Sequence, residues 1–148
     1  IACTRITRTP SGSGEGPEYE TAWAFGAQCG INDLQAIAEA NYLCNDLGLD
    51  TISVGSTIAC AMELTERNII SSELKFGRVE LLQDVIKDIA YRRGLGDELA
   101  EGSYRFAEKY GVPHFENAQE MLDCLKPDIV SVATGVAPAD SASEPSQQ

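Results

Sequence analysis

Basic residues are scarce: 11 lysines and arginines stand against 23 aspartates and glutamates, giving a net charge of −12. So acidic a chain opposes the phosphate backbone of nucleic acid and the headgroups of anionic lipid, and neither is expected as a partner. Long hydrophobic runs are lacking too. No stretch approaches the roughly eighteen apolar residues of a membrane span, and no basic, then apolar, then small-residue leader opens the chain. The expected setting is cytoplasmic, away from membranes. Cysteine is present five times, at positions 3, 29, 44, 60 and 124, with no C-x-x-C pair, which argues against a disulfide framework. Cys44 and Cys60 fall on apolar helix faces and read as small buried hydrophobes. The single histidine, His114, reads as a surface or satisfied core residue. The glycine-rich stretch over residues 10–16 lacks the Lys-Ser/Thr pair of a phosphate-binding loop, and Glu15 would repel phosphate. It is expected to be a plain loop.

What remains is a chain of 148 residues, 43% hydrophobic, long enough for one domain with a real core. Alternation over residues 5–9 suggests a short strand or extended arm. Helical spacing predicts helices over residues 18–28, 33–47, 54–64, 78–93 and 97–110. Gly30 can end the first, Asn32 with Gln35 forms a capping-box pattern before the second, and Arg92 and Arg93 suit the last turn of the fourth. Asp97 is expected to cap the fifth. Leu82, Ile86 and Ile89 should be buried with Leu34, Ile37 and Phe106. Residues 69–77 read as a connector. Gly55, Ser56, Ala59 and Ala61 make the third helix small-sided, so a neighbouring backbone or a ligand can approach it closely.

The chain is organised around residues 16–64, and their centre is Asn45-Asp46-Leu47-Gly48-Leu49-Asp50-Thr51-Ile52-Ser53. Gly48 sits where a left-handed C-terminal residue belongs, Leu49 follows as its apolar lid, and Asp50, Thr51 and Ser53 offer caps for the next helix. The turn gathers a carboxylate, hydroxyls and free backbone N–H groups, which suits a polar ligand. An ordinary capped helix hairpin has the same local pattern.

Three blocks in order, Gly16-Pro17-Glu18-Tyr19-Glu20-Thr21, residues 44–53, and residues 91–102 with Gly94-Leu95-Gly96-Asp97 and Leu99-Ala100-Glu101-Gly102, resemble the tungsten-containing aldehyde ferredoxin oxidoreductase family. The likeness covers about residues 1–109, corresponding to that family's first α-helical cofactor-flanking domain. It implies a tungsten (or molybdenum) bis-pterin, a 4Fe-4S cluster, an aldehyde substrate and ferredoxin as electron acceptor. The family's pterin-contacting pattern, D-x-x-G-L-D or D-x-x-G-L-C, stands here as Asn45-Asp46-Leu47-Gly48-Leu49-Asp50. The implied cofactor-binding residues are therefore Asn45, Gly48, Leu49 and Asp50. Asn45 replaces an acid, so it can accept a hydrogen bond but supplies no charge. Cys3 looks like the end of the family's cluster-binding run and is the implied metal ligand; the other cluster ligands are absent from the chain. In the first block the resemblance points to a glutamate that handles a proton during aldehyde oxidation: Glu20, with Glu18 as the alternative. Near an apolar, metal-bearing pocket a buried carboxylate would have its pKa raised toward working pH. Without a cofactor both are first-turn acids favoured by the helix dipole.

From residue 110 the character changes. Asn117 and Glu120 form a capping box, and a short helix leads to the apolar run Ile129-Val130-Ser131-Val132-Ala133-Thr134. Residues 109–135 resemble part of the nucleotide-binding domain of glucose-fructose oxidoreductase-type dehydrogenases, without the G-x-G-x-x-G turn, so no NAD site is carried over. The expected fold is mainly α: a helical domain over residues 1–109, a partial Rossmann-like α/β segment over 110–135, and a disordered tail over 136–148. Because the chain opens at Ile1, inside a motif, it is expected to be a fragment of a tungstopterin iron–sulfur oxidoreductase that depends on the remaining domains and is inactive alone. The alternative is a non-enzymatic helical protein-interaction module.

Overall fold

The acidic turn and its two flanking helices are set by side chains close in sequence. In the computed structural model, which describes residues 6–10, 12–113, 115 and 117–126, Asp33 starts helix α2 (Leu34–Leu47) by accepting hydrogen bonds from the Gln35 and Ala36 amides at 3.0 and 3.1 Å. The cap is thus Asp33 rather than Asn32. That register turns Ile37, Ala38, Ala40 and Cys44 inward and leaves Leu34, expected in the core, 68% exposed on the first turn. At the far end Gly48 takes φ 69°, and the Gly48 and Leu49 amides donate back to Asn45 O and Cys44 O at 3.2 and 2.8 Å, the paired bonds of a glycine-terminated helix. Asp50 then opens α3 (Thr51–Glu66) by accepting from the Ser53 amide at 2.7 Å.

Before these helices lies a hairpin of β1 (Ile6–Thr9) and β2 (Gly12–Glu15), antiparallel, with Thr7 opposite Gly14. β2 occupies much of the stretch expected to be a loop. Gly14 answers a packing demand: a side chain there would come within 3.1 Å of the Tyr42 ring, and the Tyr42 hydroxyl donates to Thr7 O at 3.0 Å. Helix α1 (Tyr19–Ala22) follows and runs directly into a π-helical turn, Trp23–Ala27, so the expected helix over 18–28 is present with a widened second half. There Ala24 meets Gly55 of α3 so closely that a methyl group on Gly55 would stand 2.7 Å from Ala24 Cβ. The Cys29 thiol donates to Ala24 O at 3.3 Å beside that contact.

After the connector a 3-10 turn (Val79–Leu81) leads into α4 (Leu82–Ala90), whose Leu82, Val85, Ile86 and Ile89 are buried as the spacing predicts. The helix expected over 97–110 is two helices, α5 (Leu95–Leu99) and α6 (Ser103–Lys109), because Gly102 takes φ 88° between them. Asp97 lies inside α5 and does not cap it. Gly96 lets the α5 backbone lie against α4, where a methyl group would stand 2.6 Å from the Ile89 nitrogen. Phe25, Ile37, Ile58, Met62, Ile86 and Phe106 share one core.

The chain divides between His114 and Phe115. Beyond that point α7 (Ala118–Leu125) is capped by Asn117, whose side chain accepts from the Gln119 and Glu120 amides. Cys3, the first residue of the expected arm, His114, the apolar run over 129–134 and the tail over 136–148 lie outside the described residues. Among the described residues no single helix is long and apolar enough to cross a membrane.

Candidate functional site

The start of α1 and the start of α3 converge on the end of α2. A cavity of about 240 Å³ opens between them, and Glu18, Asn45, Leu49 and Asp50 all line it. The structure therefore brings Glu18 to the Asn45, Leu49 and Asp50 of the α2–α3 turn, from which it is far in sequence, while Gly48 contributes through the turn it closes. Thr21, Asn41 and Thr51 complete much of the wall, with Glu15 and Gly16 at its edge. Asn41 is 5% exposed and its amide donates to Glu15 O at 3.1 Å, which fixes the end of the hairpin against α2. Thr21 and Thr51 share a hydroxyl–hydroxyl hydrogen bond of 2.7 Å.

Asp50 and Leu49 also face a second cavity of about 330 Å³, on the other side of the α3 start, with Ser53, Thr57 and Arg92. Hydrogen bonds from the Ser53 side chain and amide hold the Asp50 carboxyl below its ordinary range, so it is ionised at neutral pH. Burial pushes the Cys44 thiol up to about 12, with the Asp50 charge adding to the shift, and burial pushes Cys29 up to about 12 as well. Both stay protonated thiols and serve the core. Cys60 is only partly buried.

Glu20 stands in the exposed first turn of α1, outside the lining of the 240 Å³ cavity. Glu18 is exposed as well but does line it. Thr21 and Asn41 were missed by sequence reasoning although a signal existed. Thr21 follows Glu18 by three residues and Asn41 precedes Asn45 by four, spacings that put each pair on one helix face.

The family model described as "Aldehyde ferredoxin oxidoreductase, domains 2 & 3" matches residues 1–127. The chain belongs to the aldehyde ferredoxin oxidoreductase family. Tungsten-containing aldehyde ferredoxin oxidoreductases of Thermococcus kodakarensis and Pyrococcus furiosus are each 50% identical to it over 131 residues, covering 83% of this chain and 22% of theirs. The aliphatic sulfonate oxidoreductase, WOR-like subunit, of Pyrococcus furiosus is 32% identical over 119 residues, 74% of this chain and 19% of that protein. The chain thus spans 22% of the length of these two aldehyde ferredoxin oxidoreductases. The family match also runs past Lys109, where the likeness read from the sequence stops.

The residues of the 240 Å³ cavity fit a pterin of the kind that tungsten enzymes carry. Such a heterocycle presents N–H donors, and Asp50, Asn45 and Glu18 offer acceptors around the cavity; of the bonded Thr21–Thr51 hydroxyl pair, only the proton not shared between them is left to donate. An iron–sulfur cluster has no such fit among the described residues. No three His, Cys, Asp or Glu side chains converge there as a metal site, and Cys3 lies outside them.

Proposed function

We propose that this chain supplies one wall of the pterin site in a tungsten-dependent enzyme that oxidises an aldehyde to a carboxylic acid, with ferredoxin as electron acceptor. The observation that carries the reading is the cavity itself, which collects Glu18, Asn45, Leu49 and Asp50 from separate elements. Family membership supports the reaction class. When bound, a tungsten (or molybdenum) bis-pterin would supply the two-electron chemistry that aldehyde oxidation requires. This chain's own part is to orient that group and to move a proton. The ionised Asp50 and the Asn45 side-chain carbonyl would accept hydrogen bonds from the heterocycle, with the Gly48 turn between them joining the two residues.

Adding water to an aldehyde and removing two electrons releases two protons, and a carboxylate of the Glu18-to-Glu20 turn takes one of them as general base. Glu20 carries that role in the family reading, and Glu18 is the alternative that the cavity favours. Cys3 is proposed as one ligand of a 4Fe-4S cluster that relays electrons to ferredoxin. The four described cysteines are free thiols, which accords with a reducing cytoplasmic setting. The chain alone is expected to be inactive, because it spans 22% of its relatives' length. The division into a helical domain over 1–109, an α/β segment over 110–135 and a tail stays part of the proposal.

The test is metal analysis of the full-length protein from its native host, together with aldehyde-dependent reduction of ferredoxin. Tungsten or molybdenum with iron, and turnover, are expected. A correctly folded protein free of all three metals points to the helical interaction module instead.

A further inference from the structure

Thr21 is 3% exposed, and its hydroxyl lies 2.7 Å from that of Thr51. A hydroxyl removed from water needs a partner, and this one finds it on another helix start rather than on its own backbone. The two residues are placed to matter. Thr21 lies one turn after Glu18 on α1, Thr51 directly follows Asp50 at the start of α3, and both face the 240 Å³ cavity. Their bond therefore joins the segment carrying the proton-handling carboxylates to the segment carrying the pterin acceptor. Elsewhere these two segments meet through the close contact of Ala24 on Gly55 and a hydrogen bond of 3.0 Å from the Ser56 hydroxyl to the Gln28 side-chain oxygen, none of them residues that line the cavity.

We propose that Thr21 and Thr51 are positioning residues: their mutual hydrogen bond sets the separation of the Glu18 and Asp50 turns, and so governs how firmly the cavity holds its cofactor and where the carboxylate stands against it. The inference rests on the function proposed above.

It is tested in the full-length enzyme with Thr21→Val, Thr51→Val, the double variant and Thr21→Ser. The measurements are tungsten per protein after dialysis, the pH profile of rate per tungsten, and the urea midpoint. Each valine variant is expected to lower retained tungsten about fivefold, the scale of one lost hydrogen bond, and to displace the carboxylate limb of the pH profile. The double variant should lose no more than either single one, because both remove the same bond. Thr21→Ser should restore tungsten and profile together. Valine variants that lower the urea midpoint while tungsten and pH profile stay at wild-type values would show a purely structural bond and overturn the inference. So would a double variant whose loss is the product of the two single losses. A wild-type enzyme without tungsten overturns the proposed function and this inference with it, whereas a loaded wild type with unaffected variants overturns the inference alone.

Discussion

Asp50 combines two demands in one side chain. It caps α3 through the Ser53 amide, and the Ser53 hydrogen bonds hold its carboxyl below the ordinary range while it lines both cavities. A carboxyl depressed in this way binds its proton less readily in the folded chain than in the unfolded one. Its stabilisation is complete above the ordinary value near ~4 and is lost as pH falls through the lowered folded value. Asp50→Ala should therefore cost about 1 kcal/mol at pH 7, the usual size of a lost cap. The gap between variant and wild type should narrow as urea unfolding is repeated toward pH 3. A gap of constant size at every pH would mean that the charge contributes nothing to the cap. The catalytic assignment separates by chemistry rather than stability. Glu20→Gln in the full-length enzyme should keep tungsten and lower rate per tungsten by roughly a hundredfold or more. If Glu18→Gln does so instead, the proton belongs to the carboxylate that lines the cavity. If neither does, the pair is helix-start structure only.

At the level of elements, α4 shows why periodicity reads well where one face is buried. Leu82, Val85, Ile86 and Ile89 recur at helical spacing and all lie in the core, so Ile86→Ala should cost about 2 to 5 kcal/mol by urea unfolding. Leu34→Ala should cost no more than about 0.5 kcal/mol, because that side chain is exposed. A comparable loss at the two positions would mean that Leu34 is covered in solution. Leu34 belonged to the same apolar pattern in sequence, but as the first residue of α2 it stands at the helix end and is exposed. The Gly48 turn and the Asp50 cap were legible because helix ends are specified by local hydrogen bonds. The second strand was not, since Gly14 is explained by Tyr42, far along the chain. The break at Gly102 was missed for a related reason: its backbone conformation leaves no mark on hydrophobic spacing, and Leu99 and Phe106 are both buried on either side of it. Gly96 tests the same point from the packing side. Gly96→Ala forces a methyl group into the α4 backbone and should destabilise by about 1 to 3 kcal/mol or more, whereas an unchanged urea midpoint would mean that α5 does not lie against α4.

Across the whole chain, stability must come from the core and not from charge. The ion pairs of the described residues, such as Arg92 with Asp97 and Glu101, join side chains that are largely exposed, and pairs of that kind contribute little. Eleven basic residues cannot neutralise 23 acidic ones in any case. The buried apolar cluster lies wholly between Phe25 and Phe106, and partly buried residues packed on it end at Val112. Division of the chain by its own contacts falls just beyond, between His114 and Phe115. Every residue of that cluster, the α2–α3 turn and the 240 Å³ cavity therefore lies on one side of the division. A chain ending at His114 should fold cooperatively and melt within about 4 °C of the 148-residue chain, the shift that about 1 kcal/mol produces in a domain of this size. Circular dichroism melting of the two chains is the measurement. A larger drop, or loss of the cooperative transition, would mean that residues 115–148 help to hold the helical unit together, and the proposed division of the chain near that point would have to be abandoned.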